Sequence, residues 1–288
     1  MRRRSFLGAL GAAGAALATG KARGSTAEPT AAREFVGVLC DTTRCIGCRA
    51  CEVACAETHG LPVPDIKADG ALETPRKTSF TQRTVVNRHH TDKGEVFVKR
   101  QCMHCWQPAC TAACLTNAML KTEDGPVVWR GDKCMGCRYC MVSCPFEMPK
   151  YEYGSNNPRI NKCDLCVDRV AQGKLPACVE ACPKNALQFG RKRDLMESAH
   201  KRIYTHPGSY VRHVYGEKEV GGTGWLYLAS VPFDQLGFRT DLGDTPYPEY
   251  TKQFLYGVPV VFLVGPTLML GLHQLTRRSD EVKKMEGQ

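Results

Sequence analysis

Cys134-Met135-Gly136-Cys137-Arg138-Tyr139-Cys140-Met141-Val142-Ser143-Cys144-Pro145 is a C-x2-C-x2-C-x3-C run closed by proline. Three thiolates two residues apart sit on one tight loop that can wrap the irons of a single cubane iron-sulfur cluster, and Gly136 lets the backbone approach closely. The fourth cysteine opens a new element and points away from that loop. It is better placed to ligate the cluster of a partner run.

The chain supplies three such partners. Sixteen of its 17 cysteines fall into four groups, each ending in C-x3-C: Cys45, Cys48, Cys51, Cys55; Cys102, Cys105, Cys110, Cys114; Cys134, Cys137, Cys140, Cys144; and Cys163, Cys166, Cys178, Cys182. The first repeats the spacing of the third, with Gly47 in place of Gly136, while the second and fourth have longer internal gaps. Pro183 follows Cys182, whereas Cys55 and Cys114 lack a following proline. The spacing supports ligands crossing between groups but leaves the pairing of the groups open. Structural zinc usually gathers two separated C-x2-C knuckles, not a triplet with an offset fourth. Disulfides are disfavoured by an export route that commits the thiols before they meet an oxidising compartment. Cys40, outside the groups, reads as a small buried apolar residue.

That export route is read from Arg3-Arg4-Ser5-Phe6-Leu7, a twin-arginine pair heading the weakly apolar stretch Phe6 to Ala18. The stretch is too short to span a bilayer comfortably. Residues 1–27 are read as a signal peptide, with Ala16-Leu17-Ala18 a candidate cleavage site. Similarity to other twin-arginine substrates implies export in the folded state, which suits clusters inserted in the cytoplasm. Half of the formal charge of +10 lies in that leader. Four clusters, each about minus two with its thiolates, bring the mature holoprotein to roughly −3. The basic excess compensates anionic cofactors and carries no nucleic-acid footprint.

Between the first two groups, Gln82 to Arg88 and Glu95 to Arg100 flank Thr91-Asp92-Lys93-Gly94, which predicts a hairpin with His89 and His90 in a solvated loop near its tip. His104, within Cys102-Met103-His104-Cys105, is placed to donate a hydrogen bond to a cluster sulfur. Trp106, Tyr139 and Phe146 are expected to pack around the clusters and exclude water. Cys114-Leu115-Thr116-Asn117-Ala118 and Cys182-Pro183-Lys184-Asn185-Ala186 share C-x2-N-A and lead into apolar segments, a repeated unit of cysteine loop, short helix and strand.

Residues 196–250 lack cysteine. Gly221-Gly222-Thr223-Gly224 is read as a plain turn, since it lacks the spacing and lysine of a P-loop, and Leu226 to Val231 as a strand. The charge-free apolar run Phe254 to Leu272 is long enough for one membrane span, and Gly257, Pro259, Gly265 and Pro266 are better tolerated there than in a soluble helix. Asp241, Asp244 and Glu249 precede it and Arg277, Arg278, Lys283 and Lys284 follow, which predicts a cytoplasmic tail with the cluster domain on the far side.

The twin-arginine leader, the four groups, Lys99-Arg100-Gln101-Cys102-Met103-His104-Cys105, Tyr215-Gly216-Glu217-Lys218-Glu219 before Gly221-Gly222-Thr223, and the terminal span together resemble the HybA-type iron-sulfur subunit of hydrogenase-2-type [NiFe] complexes. The cysteine groups are shared with the wider set of formate dehydrogenase and dimethyl sulfoxide reductase beta subunits. The resemblance implies an electron conduit without an active site of its own, placed on the periplasmic side of the inner membrane. It would lie between the small and large subunits of a hydrogenase and an integral membrane quinone-reducing subunit. It also implies four [4Fe-4S] clusters with nested ligand sets: Cys45, Cys48, Cys51 with Cys182; Cys163, Cys166, Cys178 with Cys55; Cys102, Cys105, Cys110 with Cys144; and Cys134, Cys137, Cys140 with Cys114. The expected fold is α+β, with two pseudo-symmetric double ferredoxin-like [4Fe-4S] modules over 33–195, an extension over 196–250, a transmembrane helix over 251–275 and a tail over 276–288. A molybdenum-enzyme beta subunit, as in formate dehydrogenase, is the alternative partner reading, and a zinc-stapled, membrane-tethered binding protein the alternative from another class.

Overall fold

The computed structural model describes residues 35–66 and 70–287; the leader, residues 1–27, lies outside them. Strand β1 (Val36–Asp41) is buried along almost all of its length because it has neighbours on both edges. β8 (Leu187–Arg191) pairs with it antiparallel, from Val36 opposite Arg191 to Cys40 opposite Leu187, and β9 (Trp225–Leu228) pairs with it parallel, Val38 opposite Trp225. Side chains alternate across a strand. Val38, Cys40, Trp225 and Tyr227 therefore share the face that packs on Cys178, Val179 and Leu187, whereas Leu39, Leu226 and Leu228 face Leu195 and Ala199 of helix α6 (Lys192–Thr205).

The same strand arrangement occurs twice. β1 precedes the first cysteine group and pairs with β8, which follows the fourth; β5 (Val127–Trp129) precedes the third group and pairs antiparallel with β4 (Met119–Lys121), which follows the second. A separate apolar cluster, Met119, Val127 and Ile160 with Cys110 and Cys140, sits under the second pair. The helices beside the cysteines are short: α1 (Ala50–Thr58), α2 (Ala109–Ala112), α3 (Tyr139–Val142), α4 (Val167–Ala171) and α5 (Ala177–Glu180). A two-stranded ladder, β6 (Lys150–Tyr151) with β7 (Ile160–Asn161), leads into the fourth group.

The hairpin forms from β2 (Val85–Thr91) and β3 (Gly94–Arg100). Its ladder runs out to Thr91 opposite Gly94, a two-residue turn made possible by Gly94 at φ 101°. His89 and His90 are thus strand residues, which corrects the loop reading, and His89 is half-buried beside Gly237.

The glycine-rich segment does more than turn the chain. Gly221 and Gly222 take φ 81° and 90°, Gly222 accepts from the Trp106 amide at 2.9 Å, and the Gly224 amide donates to the Met103 carbonyl at 2.9 Å. Residues 216–228 thereby clamp the second cysteine loop and supply β9, which ends at Leu228, short of the predicted Val231. Helix α7 (Tyr247–Glu286) extends beyond the apolar run at both ends, because polar residues flanking the run continue it. Tyr247–Arg278 is long and apolar enough to cross a membrane, and its most apolar 18-residue stretch has mean hydropathy 1.9 and no buried residue. Its first turns share a groove with Ala109, Ala112 and Ala113 beside α2.

Candidate iron-sulfur centres

The four cysteine loops share a backbone conformation that their sequences only half reveal. The residue before the second cysteine is left-handed in every group: Gly47 (φ 71°), His104 (49°), Gly136 (75°) and Leu165 (61°). Glycine adopts this freely, while a side chain there costs about 1 kcal/mol or more. His104 and Leu165 carry that strain while buried at 2% and 1% exposure. Arg49, left-handed after Cys48, is fixed by Glu52 at 3.1 Å and the Asp65 carbonyl at 3.1 Å; Glu52 also takes Arg76 at 2.6 Å and the Val86 amide at 2.5 Å. This buried network ties the first loop to α1 and β2.

The repeated C-x2-N-A has a geometric cause. Asn117 and Asn185 sit at φ 55° and 48°, which asparagine tolerates better than most residues. The following amide then donates to the cysteine: Ala118 N to Cys114 Sγ at 3.1 Å and Ala186 N to Cys182 Sγ at 3.3 Å. Glu147 (φ 54°) does the same after Cys144, with Met148 N at 3.5 Å from its Sγ.

Four neighbourhoods of sulfur result. Cys45, Cys48, Cys51 and Cys182 line one cavity with Cys40 and Lys99. The Cys55 thiol has Cys178 and Cys166 as neighbours, and Cys163 has Cys55 and Cys178. Around Cys105 lie Cys144, Cys102 and Cys110, and around Cys140 lie Cys134, Cys114 and Cys137. Each neighbourhood gathers three cysteines of one group and the fourth of another. No disulfide joins cysteines among the described residues, and Cys40 is buried on β1.

Burial pushes most of these thiols up: Cys105 and Cys163 well above the ordinary thiol range, Cys55 to about 12, and Cys140, Cys144 and Cys166 to about 11. Without metal they are protonated, so loading must release protons. At Cys114 burial also opposes the thiolate, but donation from Met119, Thr116 and Ala118 outweighs it and lowers the pKa.

The surroundings fit an anionic, sulfur-rich group. Lys99 and Lys162 are 2% and 5% exposed and have no carboxylate at ion-pair distance among the described residues. Lys162 donates instead to the carbonyls of Val127 and of Cys163, the latter at 2.9 Å. His104 Nδ1 accepts from the Val127 amide at 2.9 Å, and its Nε2 is buried without a protein partner. Burial and nearby lysines hold the ring neutral, so the hydrogen resides on Nε2. That leaves a donor in want of an acceptor, as a cluster sulfur would be. Sequence reasoning missed His59, whose Nε2 lies 3.6 Å from Cys166 Sγ and 3.5 Å from Asp164; its only signal is its place one helical turn after Cys55. Of the three aromatics expected to exclude water, only Phe146 packs inward. Tyr139 is exposed, and Trp106, also exposed, packs against Phe35 with centroids 4.2 Å apart and ring planes tilted by 53°.

Residues 94–192 match the family model of the 4Fe-4S dicluster domain. A protein of Nitratidesulfovibrio vulgaris is 47% identical over 99% of this chain and 80% of its own length. The hydrogenase-2 operon protein HybA of Escherichia coli O157:H7 is 34% identical over 82% of this chain and 84% of its own length. The iron-sulfur subunit of the nitrate-inducible formate dehydrogenase of Escherichia coli K12 is 35% identical over 72% of this chain and 73% of its own length. With its cysteine loops, its dicluster domain and this extent of likeness, the chain belongs to the family of HybA-like and formate dehydrogenase iron-sulfur subunits, electron-transfer components of oxidoreductase complexes.

Proposed function

We propose that this chain carries electrons through four [4Fe-4S] clusters from the small subunit of a [NiFe] hydrogenase to an integral membrane subunit that reduces quinone. The observation that carries the reading is the sorting of sixteen cysteines into four neighbourhoods of three plus one, which supports the nested ligand sets and a pair of double ferredoxin-like modules. When bound, the clusters supply one-electron oxidation and reduction. The chain's own residues ligate them, donate hydrogen bonds to their sulfurs and balance their charge. The hydrogenase partner is favoured over formate dehydrogenase by the larger share of the chain aligned with HybA.

Helix α7 supports a membrane anchor. It leaves the body beside Ala109, Ala112 and Ala113, which surround Cys110 and lead to Cys114, and this supports the second and third groups as the membrane end, with the first and fourth toward the electron donor. The twin-arginine leader and the basic residues after the span support a periplasmic cluster domain.

Deleting the subunit should leave the hydrogenase able to reduce a small artificial dye with hydrogen, while hydrogen-dependent quinone reduction in membranes collapses. Replacing Phe254 to Leu272 with a soluble tail should detach the protein without bleaching it. Unchanged hydrogen-dependent quinone reduction, with loss of the formate-dependent reaction, would transfer the subunit to a molybdenum enzyme.

A further inference from the structure

A lysine is almost never fully buried unless something compensates its charge. Lys99, on β3, is buried at 2% exposure with only neutral groups in contact: Gln101 Oε1 at 3.0 Å from Nζ and the Trp225 ring 4.6 Å away. The arrangement is built. Gln101 Nε2 donates to the Tyr227 hydroxyl at 2.6 Å, and that hydroxyl donates to the Lys99 carbonyl at 2.8 Å. This fixes the amide so that its oxygen faces the ammonium, and it locks Lys99 between β3 and β9. Neutral partners orient the charge but do not cancel it.

The compensating charge lies on sulfur. Lys99 lines the cavity of Cys45, Cys48, Cys51 and Cys182, and it also interacts with Cys55, Cys163 and Cys178 of the neighbouring site. When these cysteines hold a cluster they do so as thiolates, and their negative charge is the counterpart that the buried ammonium lacks among its neutral contacts. We propose that Lys99 is the shared internal counter-ion of the two cluster sites built from the first and fourth cysteine groups, and that it holds both reduction potentials up. The proposal rests on the four-cluster reading. One electron entering either site from the upstream donor adds one negative charge with no bond made or broken, and a fixed cation alongside stabilises the reduced form more than the oxidised. Lys99 is a positioning residue and does not ligate iron. The sites of the second and third groups have Lys162 in place of Lys99, next to Cys110 and Cys144.

The test uses the holoprotein in its complex. Iron content and electron paramagnetic resonance first count clusters in the unsubstituted protein, so that a failure of the four-cluster reading shows before any variant is made. Potentiometric titration of Lys99→Met and Lys99→Gln should then lower the potentials of two clusters, each by about tenfold in the reduction equilibrium, or about 59 mV. The other two should stay in place, and Lys99→Arg should restore the unsubstituted values. Unshifted potentials, or four equal shifts, would overturn the proposal. If the neutral variants fail to load the first and fourth groups, Lys99→Arg decides: loading rescued by arginine supports the charge, and loading lost in arginine as well assigns Lys99 a packing role only.

Discussion

Gly47 and Gly136 occupy the same place in the same motif, yet alanine should harm them unequally. Both are left-handed, at φ 71° and 75°, so a methyl group costs about 1 kcal/mol of backbone strain at either. At Gly136 a Cβ would meet nothing closer than the Tyr151 hydroxyl at 3.6 Å. At Gly47 it would fall 2.4 Å from Cδ1 and 2.5 Å from Cε1 of Phe97. Overpacking of this kind costs about 1–3 kcal/mol, and the half-buried Phe97 ring has room to swing, which places Gly47→Ala in the lower half of that range. The extra term of about 1.4 kcal/mol is a factor of ten. Cluster loss makes unfolding irreversible, so the appropriate measure is the rate at which visible absorption bleaches in a fixed denaturant concentration. Gly47→Ala should bleach about tenfold faster than Gly136→Ala. In a Phe97→Ala background the two should become alike. Equal bleaching of the single variants, or no relief from Phe97→Ala, would refute the steric argument.

Two further outcomes are expected. Burial, and then Arg100, lower the pKa of His89 below the ordinary imidazole value of about 6.5. The unfolded chain therefore binds a proton that the folded protein refuses, so this residue's contribution is present above about 6.5 and lost as pH falls from there through the folded value; bleaching should accelerate as pH falls below about 6.5, and His89→Leu should lessen that slope, His59 and His104 being lowered in the same direction. Cys114→Ser should perturb the cluster of Cys134, Cys137 and Cys140, whereas Cys110→Ser should perturb that of Cys102, Cys105 and Cys144. Electron paramagnetic resonance showing both substitutions acting on one cluster would establish ligation within the second group.

What could be read from the sequence was what is local. Thiolate spacing, the glycines before Cys48 and Cys137, and the charge-free run in α7 each state their geometry within a few residues, and so does the hairpin, apart from its first arm, which runs from Val85 to Thr91 and not from Gln82 to Arg88. The equivalence of His104 and Leu165 with those glycines was not legible, because side chains that tolerate a left-handed position only under tertiary constraint give no signal of it. Nor was the burial of Lys99: in sequence it looks like one of two basic residues leading into Cys102, and only β9, more than a hundred residues later, encloses it.

The cysteine-free extension is where the sequence reading had least to offer and where the structure concentrates its support. Trp225 and Tyr227 complete the buried face of β1, the Gly222 and Gly224 backbone grips the second cysteine loop, and Tyr227 orients Gln101 toward Lys99. These contacts reach both strand pairings: β9 lies against β1 of one, and residues 222–224 hold the loop that leads to β4 of the other. Small ferredoxin-like units draw most of their stability from the metal they bind, so without such a brace each could load its clusters and still shift relative to the next. Electron transfer depends on the spacing between centres, and a segment carrying no ligand can therefore matter to the relay by fixing how its ligands are arranged.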